Sequence, residues 1–312
     1  MRIAFTGKGG SGKSTVATLF IEHLRSQAQR VLAVDADINV HLASLLGAEL
    51  NPDAALSKPE NVATIRRHLL GDNTLVAGIE QFVKTTPPGP GSRMITLAPA
   101  DPVVAGHAVS AGPDVSLMHV GTYESADIGT SCYHVSLSIL ENMLSHFELG
   151  GDDWVVCDMV AGTDAFSNSL HAQFDAIAVI VEPTPESVSV AKKFRELAGA
   201  AGTLDTLVLI GNKTDDPADR AYLESEIGMA PHACLATMPG LRHSRQRGDR
   251  PALSDIDDTS ALAEIARFAR SSPMTAQRRQ AHLRDLHLRF AQQDWVRTKY
   301  GDITTQLPRV DA

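Results

Sequence analysis

The stretch Gly7-Lys8-Gly9-Gly10-Ser11-Gly12-Lys13-Ser14-Thr15 constrains this chain more than any other. It fits the phosphate-loop pattern G-x-x-x-x-G-K-[ST] and carries an additional lysine directly after the first glycine. Gly7, Gly9, Gly10 and Gly12 let the backbone turn its N–H groups inward around an anion, Lys13 reaches the anion's oxygens, and Ser14 offers a hydroxyl to Mg²⁺. Such a cradle works only between a strand and a helix. Arg2 to Thr6 reads as a short buried strand and Ser14 to Ser26 as an amphipathic helix, so the flanking context favours a real loop over a chance glycine-rich turn. The loop points to a nucleoside triphosphate, with Gly9 to Thr15 as the expected contacts.

A chain of 312 residues can bury a substantial core, and its recurring strand-then-helix order argues for one large α/β domain. The expected division is a nucleotide-binding domain over 1–270, with an irregular insertion over about 51–129, and a helical extension over 271–312. With 37 acidic against 28 basic side chains the net charge is −9, which argues against bulk nucleic-acid binding. Three cysteines, Cys132, Cys157 and Cys234, make no disulfide framework, and the phosphate loop lies where a signal peptide's apolar stretch would be. No apolar run approaches the roughly 20 residues of a membrane span. A cytoplasmic protein is expected.

Val31 to Val34 forms a second apolar strand running into Asp35-Ala36-Asp37-Ile38-Asn39, which sets two carboxylates at a strand's C-terminal end, the edge where open α/β sheets bind ligands. The prolines and glycines of Thr86-Pro87-Pro88-Gly89-Pro90-Gly91 predict a surface loop inside the insertion. Helical spacing returns at His134 to His146. Trp154 to Cys157 then leads into Asp158, an apolar strand ending in an acid, the form of a Walker B element. Strands at Ala176 to Val181, Thr206 to Ile210 and His232 to Met238, with a helix at Glu186 to Leu197, complete a predicted parallel sheet wrapped by helices.

Lys8 to Ser14, Asp35-Ala36-Asp37 and Asp158-Met159-Val160-Ala161-Gly162 together resemble the deviant Walker A ATPases, the group of MinD, ParA, ArsA and the nitrogenase iron protein. Within that group the chain is most similar to the CooC-type nickel-insertion ATPases of carbon monoxide dehydrogenase maturation. The segment Val31 to Asn39, the segment Val181-Glu182-Pro183-Thr184-Pro185-Glu186-Ser187, and Met238-Pro239 with Gly248 and Pro251 carry that likeness, which covers roughly residues 1–270. The resemblance implies ATP and Mg²⁺ as ligands and a homodimer in the triphosphate state. Lys13 would hold phosphates in its own subunit, and Lys8 would cross the interface to the partner's nucleotide, tying hydrolysis to assembly. Ser14 and Asp158 would hold Mg²⁺ with Asp35 nearby, Asp37 would position the attacking water, and the Gly162 N–H would sense the γ-phosphate. Asp35 has a competing role, because an aspartate at a strand end is often a helix cap.

The base-recognition segment leaves two nucleotides open. Asn212 follows a strand and, in the resembling ATPases, an asparagine here bonds adenine, with Lys213 and Pro239 beside it. Yet Asn212-Lys213-Thr214-Asp215 also spells the N-K-x-D signature of GTPases, whose carboxylate accepts from guanine N1–H and N2–H₂. The CooC likeness has one departure: its C-x-C metal pair stands here as Cys132-Tyr133-His134. Two such pairs across a dimer would make a four-ligand set suited to Zn²⁺ or Ni²⁺, and the alternative is that Cys132 is a packed residue near a helix start. Beyond Arg270, Thr275 to Lys299 predicts one long helix with Leu283, Leu286 and Phe290 on a stripe. Its apolar face is narrow and interrupted by acids, so docking on the domain or on a client protein is expected over membrane association. Three functions follow as alternatives. They are an ATP-driven maturation factor for a metalloenzyme client, a ParA- or MinD-like positioning switch without metal, and a SIMIBI GTPase metallochaperone.

Overall fold

The computed structural model describes residues 1–122, 136–166 and 168–308. In chain order its elements are β1 (Arg2–Gly7), α1 (Lys13–Ser26), β2 (Arg30–Ala36), α2 (Leu42–Leu46), α3 (Pro59–Leu70), α4 (Pro102–His107), β3 (Val109–Ser110), β4 (Val115–His119) and α5 (Ser138–Ser145). There follow β5 (Asp153–Met159), β6 (Ala176–Val181), α6 (Pro185–Ala200), β7 (Leu207–Asn212), α7 (Pro217–Ile227), β8 (Ala233–Leu235), α8 (Pro239–Gln246), α9 (Ser260–Arg270), α10 (Ala276–Ala291) and α11 (Asp294–Tyr300).

The strands form one sheet in the order β3-β4-β2-β5-β1-β6-β7-β8, parallel throughout except for the antiparallel edge pair β3–β4. The apolar runs of the central strands split by parity into two cores. Ile3 and Phe5, Val31 and Ala33, and Trp154 and Val156 face α1 and α9. Ala4, Leu32 and Val34, and Val155 and Cys157 face α3, α5 and α6. This two-sided burial explains why those strands read as continuous hydrophobic stretches. Phe20 of α1 fixes the first layer, its ring 5.3 Å from that of Phe5 and 5.6 Å from that of Trp154.

Three stretches differ from expectation. The segment over 51–122 is less irregular than its composition implies, because it holds α3, α4 and β4, and β4 pairs in parallel with β2 from Val31↔Val115 to Asp35↔His119. Val115 to His119 is interrupted by Ser116 and ends on His119, so its apolar signal is weak; pairing with β2 supplies the context. His232 to Met238 contributes only three residues of strand, Ala233–Leu235, and Met238 stands at the N-cap of α8. The long C-terminal helix is two helices, broken where Gln293 turns extended (ψ 132°) with no proline or glycine to announce it.

Candidate functional site

All the parallel strands end on one edge, and the phosphate loop sits there between β1 and α1, beside the ends of β2 and β5. Gly7 has φ 150° and packs so closely on the Ile180 carbonyl that a side chain has no room. Gly12 has φ 91°, and a Cβ there would come within 2.5 Å of the Asn212 amide nitrogen. Gly9 and Gly10 form the exposed crown, while Ser11 is buried. α1 starts with no side-chain cap and no acid in its first turn. Among the described helices α4, α6, α7 and α10 carry side-chain caps, from Asp101, Thr184, Asp216 and Thr275, and α1 shares its bare start with the others. The helix that follows the loop therefore keeps its N-terminal donors and its dipole for an anion.

Beneath the loop lies a buried charge cluster. Lys13, 7% exposed, ion-pairs closely with Asp37 and stands 3.6 Å from Asp158 Oδ1 and 3.4 Å from the Ser14 hydroxyl. Asp35 and Asp158 are register partners on neighbouring strands and share a face. Burial, then the Asp158 charge, pushes the Asp35 carboxyl up to about 7. Burial likewise raises Asp158 to about 6 against the pull of Lys13 and Ser14. Asp37 behaves oppositely: burial opposes its ionisation, but the Lys13 bond and the Asn39 amides together outweigh it and hold the carboxyl below its usual range. Asp35 accepts from the backbone N–H of Leu42 at 2.7 Å and of Asp37 at 3.3 Å, so it ties the start of α2 to the strand. Neither oxygen of the buried Asp158 carboxylate accepts a hydrogen bond. An orphaned carboxylate beside a serine hydroxyl is a donor set that would suit Mg²⁺.

Two other predicted residues have definite resting positions. The Lys8 ammonium faces solvent with the Gly9 carbonyl at 3.4 Å. The Gly162 N–H donates to the Gly7 carbonyl at 3.0 Å, and the Gly162 carbonyl accepts from the Thr6 hydroxyl at 3.2 Å. In this conformation the segment after Asp158 is therefore stitched to the root of the loop.

Beside the loop opens a cavity of about 510 Å³ whose walls include Gly12, Thr15, Asn212, Lys213, Thr237 and Met238. Asn212 donates its amide to the Ser11 carbonyl at 2.7 Å. Pro239 opens α8 as an exposed residue, and Met238 is the neighbour that faces the cavity. Sequence reasoning missed Thr237, Arg242 and Arg245, which also line it. An arginine pair one helical turn apart after Met238-Pro239 was the available signal. Cys132 and His134 lie outside the described residues, and among the described residues no group of three or more His, Cys, Asp or Glu is arranged to hold a metal ion. No helix among them is long and apolar enough to cross a membrane.

Comparison with known proteins agrees with this geometry. The carbon monoxide dehydrogenase accessory protein CooC of Rhodospirillum rubrum is 28% identical over 224 residues, covering 72% of this chain and 78% of that protein. An uncharacterised ATP-binding protein of Methanocaldococcus jannaschii is 26% identical over 231 residues, covering 73% of this chain and 82% of its own. Among solved structures, a ParA family ATPase of Chlorobium tepidum superposes with a TM-score of 0.60 at 16% identity, over 86% of this chain and 96% of that one, a likeness of fold. The family model of the CobQ/CobB/MinD/ParA nucleotide-binding domain matches residues 3–293, and the chain belongs to that family.

Proposed function

We propose that this protein is an ATP-hydrolysing switch that dimerises around its triphosphate and acts as an accessory factor for a client metalloenzyme. The observation that carries the reading is Lys13 held between Asp37 and Asp158 under an uncapped helix start. Triphosphate entering the loop offers Lys13 a denser negative charge than Asp37 does. Lys13 then moves to the phosphate oxygens, and Asp37 is freed to accept a hydrogen bond from the attacking water and orient it in line. Ser14 and Asp158 would hold Mg²⁺, which when bound would supply charge neutralisation at the phosphates. Lys8, pointing outward from the loop, delivers a second ammonium to the nucleotide of the partner subunit, so that turnover requires assembly. The accessory role rests on the similarity to CooC over most of both chains.

The test is paired. ATP turnover and oligomeric state are measured for the wild type and for Lys8→Ala. The expected result is nucleotide-dependent dimerisation and turnover in the wild type, with nucleotide binding retained but both lost in the variant. A Lys8→Ala protein that dimerises and hydrolyses normally would refute the dimer switch.

A further inference from the structure

The four residues of Asn212-Lys213-Thr214-Asp215 are each engaged with a different neighbour. Asn212 donates to the Ser11 carbonyl of the phosphate loop at 2.7 Å. Lys213, in a left-handed backbone conformation (φ 57°), ion-pairs closely with Glu182 at the end of β6. Both the N–H and the hydroxyl of Thr214 donate to the Leu235 carbonyl of β8, at 3.1 and 3.2 Å. Asp215 accepts from the Thr237 N–H at 2.7 Å and from the Thr237 hydroxyl at 2.8 Å, one bond to each carboxylate oxygen. Its own N–H is taken by Asp219 at 2.8 Å.

Thr237 lines the cavity beside the loop, and Asp215 is not among the residues that do. A guanine-reading aspartate must aim both oxygens at the base, to meet N1–H and N2–H₂ together. Here both oxygens face Thr237. Asn212 commits one N–H of its amide to Ser11 and keeps Oδ1 as an acceptor and the second N–H as a donor, a pair able to meet the exocyclic amine and a ring nitrogen of adenine.

We propose that Asp215, in place of reading a guanine base, is a positioning residue which clamps Thr237 into the wall of the base cavity and so sets the affinity for ATP. This rests on the ATP reading of the loop.

The experiment measures dissociation constants of fluorescent ATP, GTP and xanthosine triphosphate, with turnover at saturation, for the wild type, Asp215→Ala, Asp215→Asn, Thr237→Val and the double variant Asp215→Ala/Thr237→Val. Asp215→Ala is expected to weaken ATP about fivefold with saturating turnover unchanged, a size set by two bonds to an exposed, screened carboxylate. Asp215→Asn should recover most of that loss, because its amide still bonds the Thr237 N–H and hydroxyl. Thr237→Val should weaken ATP by a smaller factor and add nothing on top of Asp215→Ala, since the two residues act as one clamp. The inference is overturned if Asp215→Ala lowers GTP affinity while leaving ATP untouched, or if Asp215→Asn shifts preference to xanthosine triphosphate, whose C2 carbonyl pairs with an amide donor. Wild-type ATP affinity in the same titration checks the parent reading separately.

Discussion

The phosphate-loop edge and the C-terminal extension solve opposite problems. At the edge, charge is concentrated and left partly unsatisfied: Asp158 accepts no hydrogen bond, α1 has no cap, and Lys13 relies on acids for a partner. In the extension, buried polar groups are matched. Arg279 ion-pairs with Asp175 and donates to the Gln173 carbonyl at 3.2 Å. His287 sits with Nε2 2.8 Å from the Ile303 carbonyl and Nδ1 3.0 Å from both the carbonyl and the hydroxyl of Thr85, while burial holds the ring below its usual range. Gln306 donates to the Gln81 carbonyl at 2.7 Å and accepts from the Thr86 hydroxyl at 2.8 Å. Unsatisfied buried charge is what a ligand completes; satisfied buried polarity fixes one docking geometry.

The contrast breaks most visibly at Lys13. Lys13→Ala is expected to weaken ATP by about 100-fold or more in a calorimetric titration, because the phosphate oxygens lose their buried cation. Asp37→Ala should slow single-turnover hydrolysis by about 100-fold, the range for a residue that orients and activates water, while nucleotide affinity rises because the competing partner of Lys13 is gone. Unchanged turnover would remove Asp37 from the chemistry. In the extension, Arg279→Ala should lower unfolding stability by about 3 kcal/mol in urea denaturation, since it leaves Oδ1 of the buried Asp175 unpaired with only the Arg2 N–H on its other oxygen, and leave ATP affinity unchanged. An equal loss of nucleotide affinity would erase the distinction between the two regions.

The smallest effect concerns pH. Asp35 and Asp158 titrate higher in the folded protein than in the unfolded chain, where a carboxyl titrates near 4. Between about 4 and about 7 the folded state therefore holds the extra protons, and nucleotide-free stability should fall as pH rises through that window. Asp35→Asn should flatten the decline, measured as melting temperature at pH 5 against pH 8. A melting temperature that rises over this interval in the wild type and not in the variant would contradict the assignment.

The edge was legible in the sequence because its demands are local. Gly7 and Gly12 are required by positive φ and by contacts that leave no space for a side chain, and the acids follow apolar strands long enough to recognise. The extension was harder because its buried stripe is Arg279, Leu283, His287 and Ala291, only half of it apolar, so hydrophobic spacing picked out Leu286 and Phe290, which are partly exposed. The same blindness hid β4, whose strand character depends on pairing with β2, and Thr237, whose place in the cavity wall depends on a bond to Asp215 from another strand end. The N-K-T-D letters left the base open for a related reason: sequence shows which groups are present and not which are already engaged.

The most direct measurement is mass photometry of the full chain with Mg²⁺ and a non-hydrolysable ATP analogue, at concentrations where the nucleotide-free protein is monomeric. Wild type should shift to twice the 33.4 kDa chain mass while Lys8→Ala stays at the single-chain mass with nucleotide bound. A nucleotide-saturated wild type that remains a single chain would contradict a switch built on two subunits sharing their lysines.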